Sequence, residues 1–539
     1  MSSDGYIEST ASPDDRSVSE SEIQSEIHQY LHVQSQRRRL FPRAALVGLL
    51  CGVLATAFRA ALALGDNLRI RMLIGAHRAG PLGICIPIIV CAAGVAIAVH
   101  IVRRYAPEAS GSGIPHLEAV LHRLRDLRWR RIIPVKFLSG MLAMGCGLGL
   151  GREGPTVQMG GSIGAAVAAW LKIGERDRLV LIAAGAGAGL AAAFNAPLAG
   201  VIFVLEEVQR DFRPAVFGAT FLAAAVADIV ARFASGQLPV FAIPSYPMPA
   251  LGALPYFAIA GIAAGVIGLV YSKSLIATLN IYSRIPSRFI VPTAAGIGAV
   301  AGIIAWQQPL AVGGGHHLAE VILDGHIALI AIPGWYLLRH IFSQASYGTG
   351  ASGGIFAPML GLGALTGLAV GKLAHHLSPG LVPIPAVFAV VGMAAYFTAV
   401  VRAPLTGIVL IVEMTGNYSQ MLPLLVACFC AYMFSEWAGI LPIYETLLER
   451  DLMRGGMTMN HAAPFVLELE VEPGSPFDGM RIRDLGLPPG CIVVSCRDGS
   501  HEIVPTAEYR LTSHMRVSAM VSPDAPGAIS MLRHGCEGA

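Results

Sequence analysis

The chain has 539 residues, 54% of them hydrophobic and only 14% charged, with a formal net charge of +3 and a mean hydropathy of +0.61. Its apolar residues fall in long runs, not amphipathic stripes, which excludes an ordinary soluble globular domain and defines a polytopic membrane protein. The small net charge gives no ground for a nucleic-acid partner, and the 16 His and nine Cys show neither metal-ligand spacing nor a CxxC pair.

Residues 1–40 read as a cytoplasmic N-terminal segment, acidic and Ser-rich up to Gln36, without the basic-then-apolar pattern of a cleavable signal peptide. Within it "SEIQSEIHQYLHV" predicts a short amphipathic helix. The cluster Arg37, Arg38, Arg39 and Arg43 then meets the first apolar run, which by the positive-inside rule places the N-terminus in the cytoplasm. The loop "HRLRDLRWRR", His122 to Arg131, and the pair Arg210 and Arg213 fall on the same side.

Residues 41–454 form the predicted transmembrane domain, all-α, with many apolar segments interrupted by Gly and Pro. Several are too short to span a hydrocarbon core of roughly 30 Å. Such broken or re-entrant helices are tolerated only where their loose ends face protein or a watery cavity, so a pathway through the protein is expected. The domain also repeats itself. "APLAGVIFVLEE" from Ala196 is echoed by "APLTGIVLIVEM" from Ala403, and "GREGP" by "GIFAP", which gives two related halves, about 41–240 and 250–454.

Three small polar loops open apolar helices: "GSGIP" (Gly111, Ser112, Gly113, Pro115), "GREGP" (Gly151, Arg152, Glu153, Gly154, Pro155) and "GGIFAP" (Gly354, Ile355, Phe356, Pro358). A helix start carries partial positive charge and unpaired N–H groups, so several converging make an anion site without a buried full cation. The competing reading of each loop is that Gly and Pro merely allow close packing.

Glu153 is an intramembrane carboxylate that must pair, protonate or face an aqueous path. A structural pair with Arg152 is one reading. The other is a gate that mimics the anion when charged and withdraws when protonated. Glu206 and Glu207 close the first copy of the repeated segment; Glu206 corresponds to Glu413 and Glu207 to Met414, so Glu206 reads as architectural and Glu207 as the specialised proton carrier. Tyr444 supplies a phenolic hydroxyl to an anion or anchors at the interface. "GASG", Gly350 to Gly353, matches an intramembrane serine protease pattern, with Ser352 as nucleophile and His340 or His375 as base. "GAGAG", Gly185 to Gly189, reads as helix packing and not as a phosphate loop.

After Arg454 the segments become short and β-branched, separated by Pro, Gly and Asp, and predict a small soluble α/β or β-rich domain. The expected layout is a domain over 463–525 and a flexible tail over 526–539.

Together "GSGIP", "GREGP", "GGIFAP" and the late Tyr444 resemble the CLC family of chloride channels and chloride/proton antiporters, over roughly residues 40 to 454. The resemblance implies a homodimer whose subunits each carry a pathway built from an inverted repeat of tilted and re-entrant helices. It implies that Ser112 and Tyr444 hold a central chloride by their hydroxyls, with the backbone N–H groups of Ile355 and Phe356. Glu153 then is the outer gate, and Glu207 matches the inner Glu that antiporters keep and channels replace. Chloride and protons are the transported ions, no cofactor is implied, and the expected location is the inner membrane with both termini cytoplasmic. His116 and His122 stand where bacterial exchangers often carry acidic residues. The C-terminal segment is similar to TrkA or RCK modules, which implies an unidentified small ligand. A passive voltage- or pH-gated chloride channel remains the alternative at this point, and the serine protease a distant one.

Overall fold

The computed structural model describes residues 20–210, 212–241, 243–244, 246–439, 441–454, 465–499, 501–522, 525 and 527–537. The acidic stretch up to residue 19 lies outside them, as do the side chains of residues 20–38 on which the amphipathic reading rests. Two compact units divide the chain, Met1–Glu445 and Thr446–Ala539. The division falls inside a helix, ahead of the Arg454 boundary expected from composition; Glu445, the last residue of the first unit, forms an ion pair with Arg210.

The first half of the helical unit runs α1 (Glu20–Arg78), α2 (Cys85–Tyr105), α3 (Ile114–Leu121), α4 (Trp129–Gly145), α5 (Glu153–Trp170), α6 (Glu175–Phe194), α7 (Pro197–Phe203) and α8 (Pro214–Ser235). The second runs α9 (Leu254–Ser283), α10 (Ile290–Gln307), α11 (His316–Leu323), α12 (Ile332–Gly348), α13 (Phe356–Leu377), α14 (Ala386–Val401), α15 (Pro404–Thr415) and α16 (Met421–Trp437), followed by α17 (Ile443–Arg454). Each helix of the first half has a mate eight places on. The packing repeats accordingly: α5 on α6 as α13 on α14, α1 on α8 as α9 on α16.

Among the described residues eight helices are long and apolar enough to cross a membrane. They sort into layers: the α6 and α13 spans are 83% and 78% buried within the protein, whereas those of α2 and α10 are 33% and 28% buried, as outer helices facing lipid should be. The inner layer is close-packed through small residues. A β-carbon on Gly185 of α6 would collide with the Gly160 carbonyl of α5, so "GAGAG" is a helix-packing surface.

The second unit holds a four-stranded antiparallel sheet of β1 (Phe465–Glu470), β2 (Cys491–Asp498), β3 (His501–Ile503) and β4 (Arg516–Val521) in the order β1-β4-β2-β3. Its core gathers Val471, Phe477, Leu511, Val517 and Leu532. The flexible tail expected from residue 526 is not what forms. Residues Ala528–Glu537 make a helix, α18, that buries Leu532 and Cys536 in this core. The Gly535 and Cys536 carbonyls accept from the Phe477 and Glu472 amides at 2.9 and 2.8 Å. Apolar positions four residues apart, Leu532 and Cys536, supply the physical reason.

Candidate anion pathway

The three loops meet, and backbone bonds lock them. Gly111 donates to the Ala351 carbonyl at 3.1 Å and accepts from the Gly353 amide at 3.0 Å; Gly151 and Gly354 exchange both of their hydrogen bonds at 2.7 Å. Residues 240 positions apart thus become neighbours, and the starts of α3, α5 and α13 converge. Ser112, 1% exposed, lies directly beneath the start of α5, where a β-carbon on Gly154 would stand 2.8 Å from the Ser112 Cα. Its hydroxyl accepts from the Ile114 amide at 3.2 Å. Ile355 and Phe356 are buried at the α13 start, with the Phe356 ring packed against Phe397 at 4.5 Å and Phe194 at 5.4 Å. Pro115, Pro155 and Pro358 fall in the first turns of α3, α5 and α13, where a missing N–H is harmless.

Glu153 is the first residue of α5 and is wholly buried, and among the described residues neither carboxylate oxygen has a hydrogen-bond partner. The backbone amides of Glu153 and Ala357 face it without completing a well-formed bond. Arg152 does not pair with it. The guanidinium donates instead to the Ala193 carbonyl at 3.1 Å, and its Nε has no partner. A purely structural Arg152–Glu153 pair is therefore not what the fold builds.

Tyr444 is fully buried at the start of α17, and its hydroxyl also lacks a partner. It lies within electrostatic reach of Glu207 and of Glu118. Glu207, 3% exposed, sits where α7 continues into a wider turn, Val204–Val208, closed by the Gln209 amide on the Val204 carbonyl at 2.8 Å. Such π turns recur at functional sites because they expose a carbonyl and turn side chains out of register. One Glu207 oxygen is 3.9 Å from Arg210, and the other has no partner.

Two site residues had gone unnoticed in the sequence. Glu118 of α3 is 4% exposed, with one oxygen unpartnered, and senses both Glu207 and Arg210 electrostatically; a lone carboxylate in the apolar octapeptide "IPHLEAVL" was the available signal. Lys136 of α4, wholly buried, donates to the Ala109 and Gly111 carbonyls at 3.0 and 2.7 Å and so braces the Ser112 loop. His116 is buried against Gln158, 3.3 Å from its amide nitrogen, while His122 is exposed.

The protease arrangement is contradicted by geometry. Ser352 is buried and donates its hydroxyl to the Ala109 carbonyl at 2.8 Å; His340 Nε2 meets Ser274 at 3.0 Å, and His375 Nδ1 meets the Val382 carbonyl at 2.7 Å. Among the described residues neither histidine reaches the hydroxyl, and the "GASG" loop is a structural crossing.

Two repeated bundles around a junction of helix starts define a multi-pass membrane protein with a buried, partly unpaired polar pathway. Residues 94–436 match the family described as voltage gated chloride channel, and residues 466–530 match the TrkA-C domain. The chain belongs to the CLC family and has the inverted-repeat fold of that family. It is 39% identical over 438 residues to the H(+)/Cl(-) exchange transporter ClcA of Vibrio vulnificus (strain YJ016), covering 79% of this chain and 92% of that relative. The ClcA of Salmonella typhimurium (strain LT2) is 37% identical over 440 residues, with 79% and 93% covered. A crystal structure of a slow cyanobacterial Cl-/H+ antiporter superposes with a TM-score of 0.75 at 35% identity, covering 78% of this chain and 99% of that one. A eukaryotic CLC transporter shares the fold, with a TM-score of 0.66 at 23% identity, over 84% of this chain and 78% of that one.

Proposed function

We propose that the protein is a secondary active chloride/proton antiporter of the inner membrane, working as a homodimer with both termini in the cytoplasm. The observation that carries this reading is Glu153: a buried carboxylate without a hydrogen-bond partner at the start of α5, in the place where converging helix starts favour an anion. Charged, it competes with chloride for that place. Protonated, it loses its attraction to the helix starts and leaves. The hydroxyls of Ser112 and Tyr444 and the amides of Ile355 and Phe356 hold the chloride beneath it. Glu207 passes protons from the cytoplasmic side, with Glu118 as its buried neighbour.

The names of the 39% and 37% identical relatives support exchange over passive conduction, as does the carboxylate retained at position 207. A passive channel is the competing reading. In liposomes with an imposed chloride gradient, protons should move uphill; chloride flux without any proton movement selects the channel. The TrkA-C domain is read as a regulatory module for a small ligand.

A further inference from the structure

The loop that braces α3 has a counterpart in the second half. In the first copy Gly111 (φ +60°) and Gly113 (φ +82°) turn the chain into α3, and Lys136 of α4 ties down the Ala109 and Gly111 carbonyls. In the second copy Gly313 (φ +73°) and Gly315 (φ +90°) turn the chain into α11, and Arg339 of α12 donates to the Ala311 and Gly313 carbonyls at 2.8 and 3.0 Å. Both helices have eight residues. The two halves therefore build one device twice, and only the first copy has been given a task.

The second copy keeps unused donors. Arg339 is 3% exposed; Nη1 makes both carbonyl bonds, while Nη2 has no partner and lies beneath the α11 start, 2.6 Å from where a Gly315 β-carbon would stand. A buried guanidinium nitrogen is costly to leave unpaired, and the first-turn amides of α11 have no intrahelical acceptors. His316, the first residue of α11, has a buried Nε2 with no partner. His316 borders a cavity of about 250 Å³ also lined by Arg59, Arg152, Glu153, Gly314 and His317, while Arg339 lies behind the α11 start and outside that lining.

Three carboxylates and two arginines line that cavity, with His316 and His317. Of the carboxylates, Asp66 pairs with Arg69 at 2.6 Å, Glu320 faces His317 at 3.3 Å, and Glu153 stands next to Arg152 without an ion pair. Arg59 donates to the Ser235 hydroxyl and Arg152 to the Ala193 carbonyl, both neutral. Among the described residues neither arginine forms an ion pair with a carboxylate.

We propose that the α11 start, with Arg339 beneath it and His316 and Arg152 beside it, is a second binding site for a small monovalent anion of the chloride class. It opens into the cavity that Glu153 lines, so an anion held there waits next to the gate. The analogy rests on the reading of the Ser112 loop as an anion site, and the test separates the two.

Crystals of the full-length protein soaked in sodium bromide should show anomalous density at the α11 start as well as near Ser112 and Tyr444. His316→Leu should weaken the α11 peak alone, with a loss of affinity of about tenfold on chloride titration. Arg339→Met should abolish the peak; because it also removes the brace and can cost folding, His316→Leu, whose side chain braces nothing, keeps the test decisive. Bromide near Ser112 with none at α11 overturns this site and leaves the antiport reading intact. An α11 peak unchanged in both variants also overturns it, as an adventitious ion only. Bromide at α11 and none near Ser112 upholds the site and overturns the Ser112 reading.

Discussion

Glu206 and Glu413 each cap the start of the helical segment that carries the other. The Glu206 carboxylate accepts from the Leu405 and Thr406 amides at 3.0 and 2.7 Å, at the start of α15; the Glu413 carboxylate accepts from the Leu198 and Ala199 amides at 3.2 and 2.8 Å, at the start of α7. The shared glutamate is thus a helix cap used twice across the duplication. Replacing either by Ala should lower stability by about 1 to 2 kcal/mol, as loss of a cap does, and leave the chloride-to-proton ratio unchanged. Thermal unfolding in detergent together with liposome flux reads both; a changed ratio would move these residues into the transport path.

Glu207 and Glu153 should separate the two ions. Glu207→Gln keeps the shape and removes the titrating group, so proton transport should fall roughly a hundredfold while chloride flux persists. Glu153→Gln should abolish proton transport and flatten the pH dependence of chloride flux, because the amide cannot switch between charged and neutral. Intact coupling in Glu207→Gln would assign the relay elsewhere, with Glu118 as the next residue to substitute.

Lys136→Met removes one of two donors from each of the Ala109 and Gly111 carbonyls, which keep the Ser352 hydroxyl and the Gly353 amide. Losing hydrogen bonds from a buried lysine costs about 1 to 3 kcal/mol, and the loop that carries Ser112 loses its brace. Chloride affinity measured by calorimetry should drop in the folded fraction. Unaltered affinity would show that Lys136 supports folding alone.

In the C-terminal unit burial pushes the thiols of Cys496 and Cys536 up from 9.0 to about 11. The folded unit therefore holds protons that the unfolded chain releases at lower pH, and the sign follows. Its stability is fully present below pH 9 and declines between pH 9 and about 11. Both thiols should resist maleimide at neutral pH until the unit unfolds. Rapid labelling of native protein, or a melting point indifferent to alkaline pH, would contradict the packing around α18.

The separate parts of the pathway were readable along the chain, because each is local: a Gly-Pro loop, a carboxylate in an apolar run, a repeated "APL" segment. Their partners were not. Lys136 and Arg339 bond backbone carbonyls 25 to 28 residues away, and backbone acceptors leave no mark in a sequence. Glu206 and Glu413 reach across about 200 residues in the same way. The tail misled in the opposite sense: ten residues are a short helix by propensity, and α18 persists because Leu532 and Cys536 are buried against the sheet.

Hydropathy, duplication and the order of the motifs are properties of the chain read linearly, and they suffice to name a duplicated membrane protein with an anion-favouring junction. Whether Arg152 neutralises Glu153 depends instead on which acceptor is nearer in space. The Ala193 carbonyl takes the guanidinium, and the glutamate is left buried with both oxygens free of hydrogen bonds. Packing three helix starts together is what takes that carboxylate out of water, and the proposed gating role of Glu153 rests on that burial.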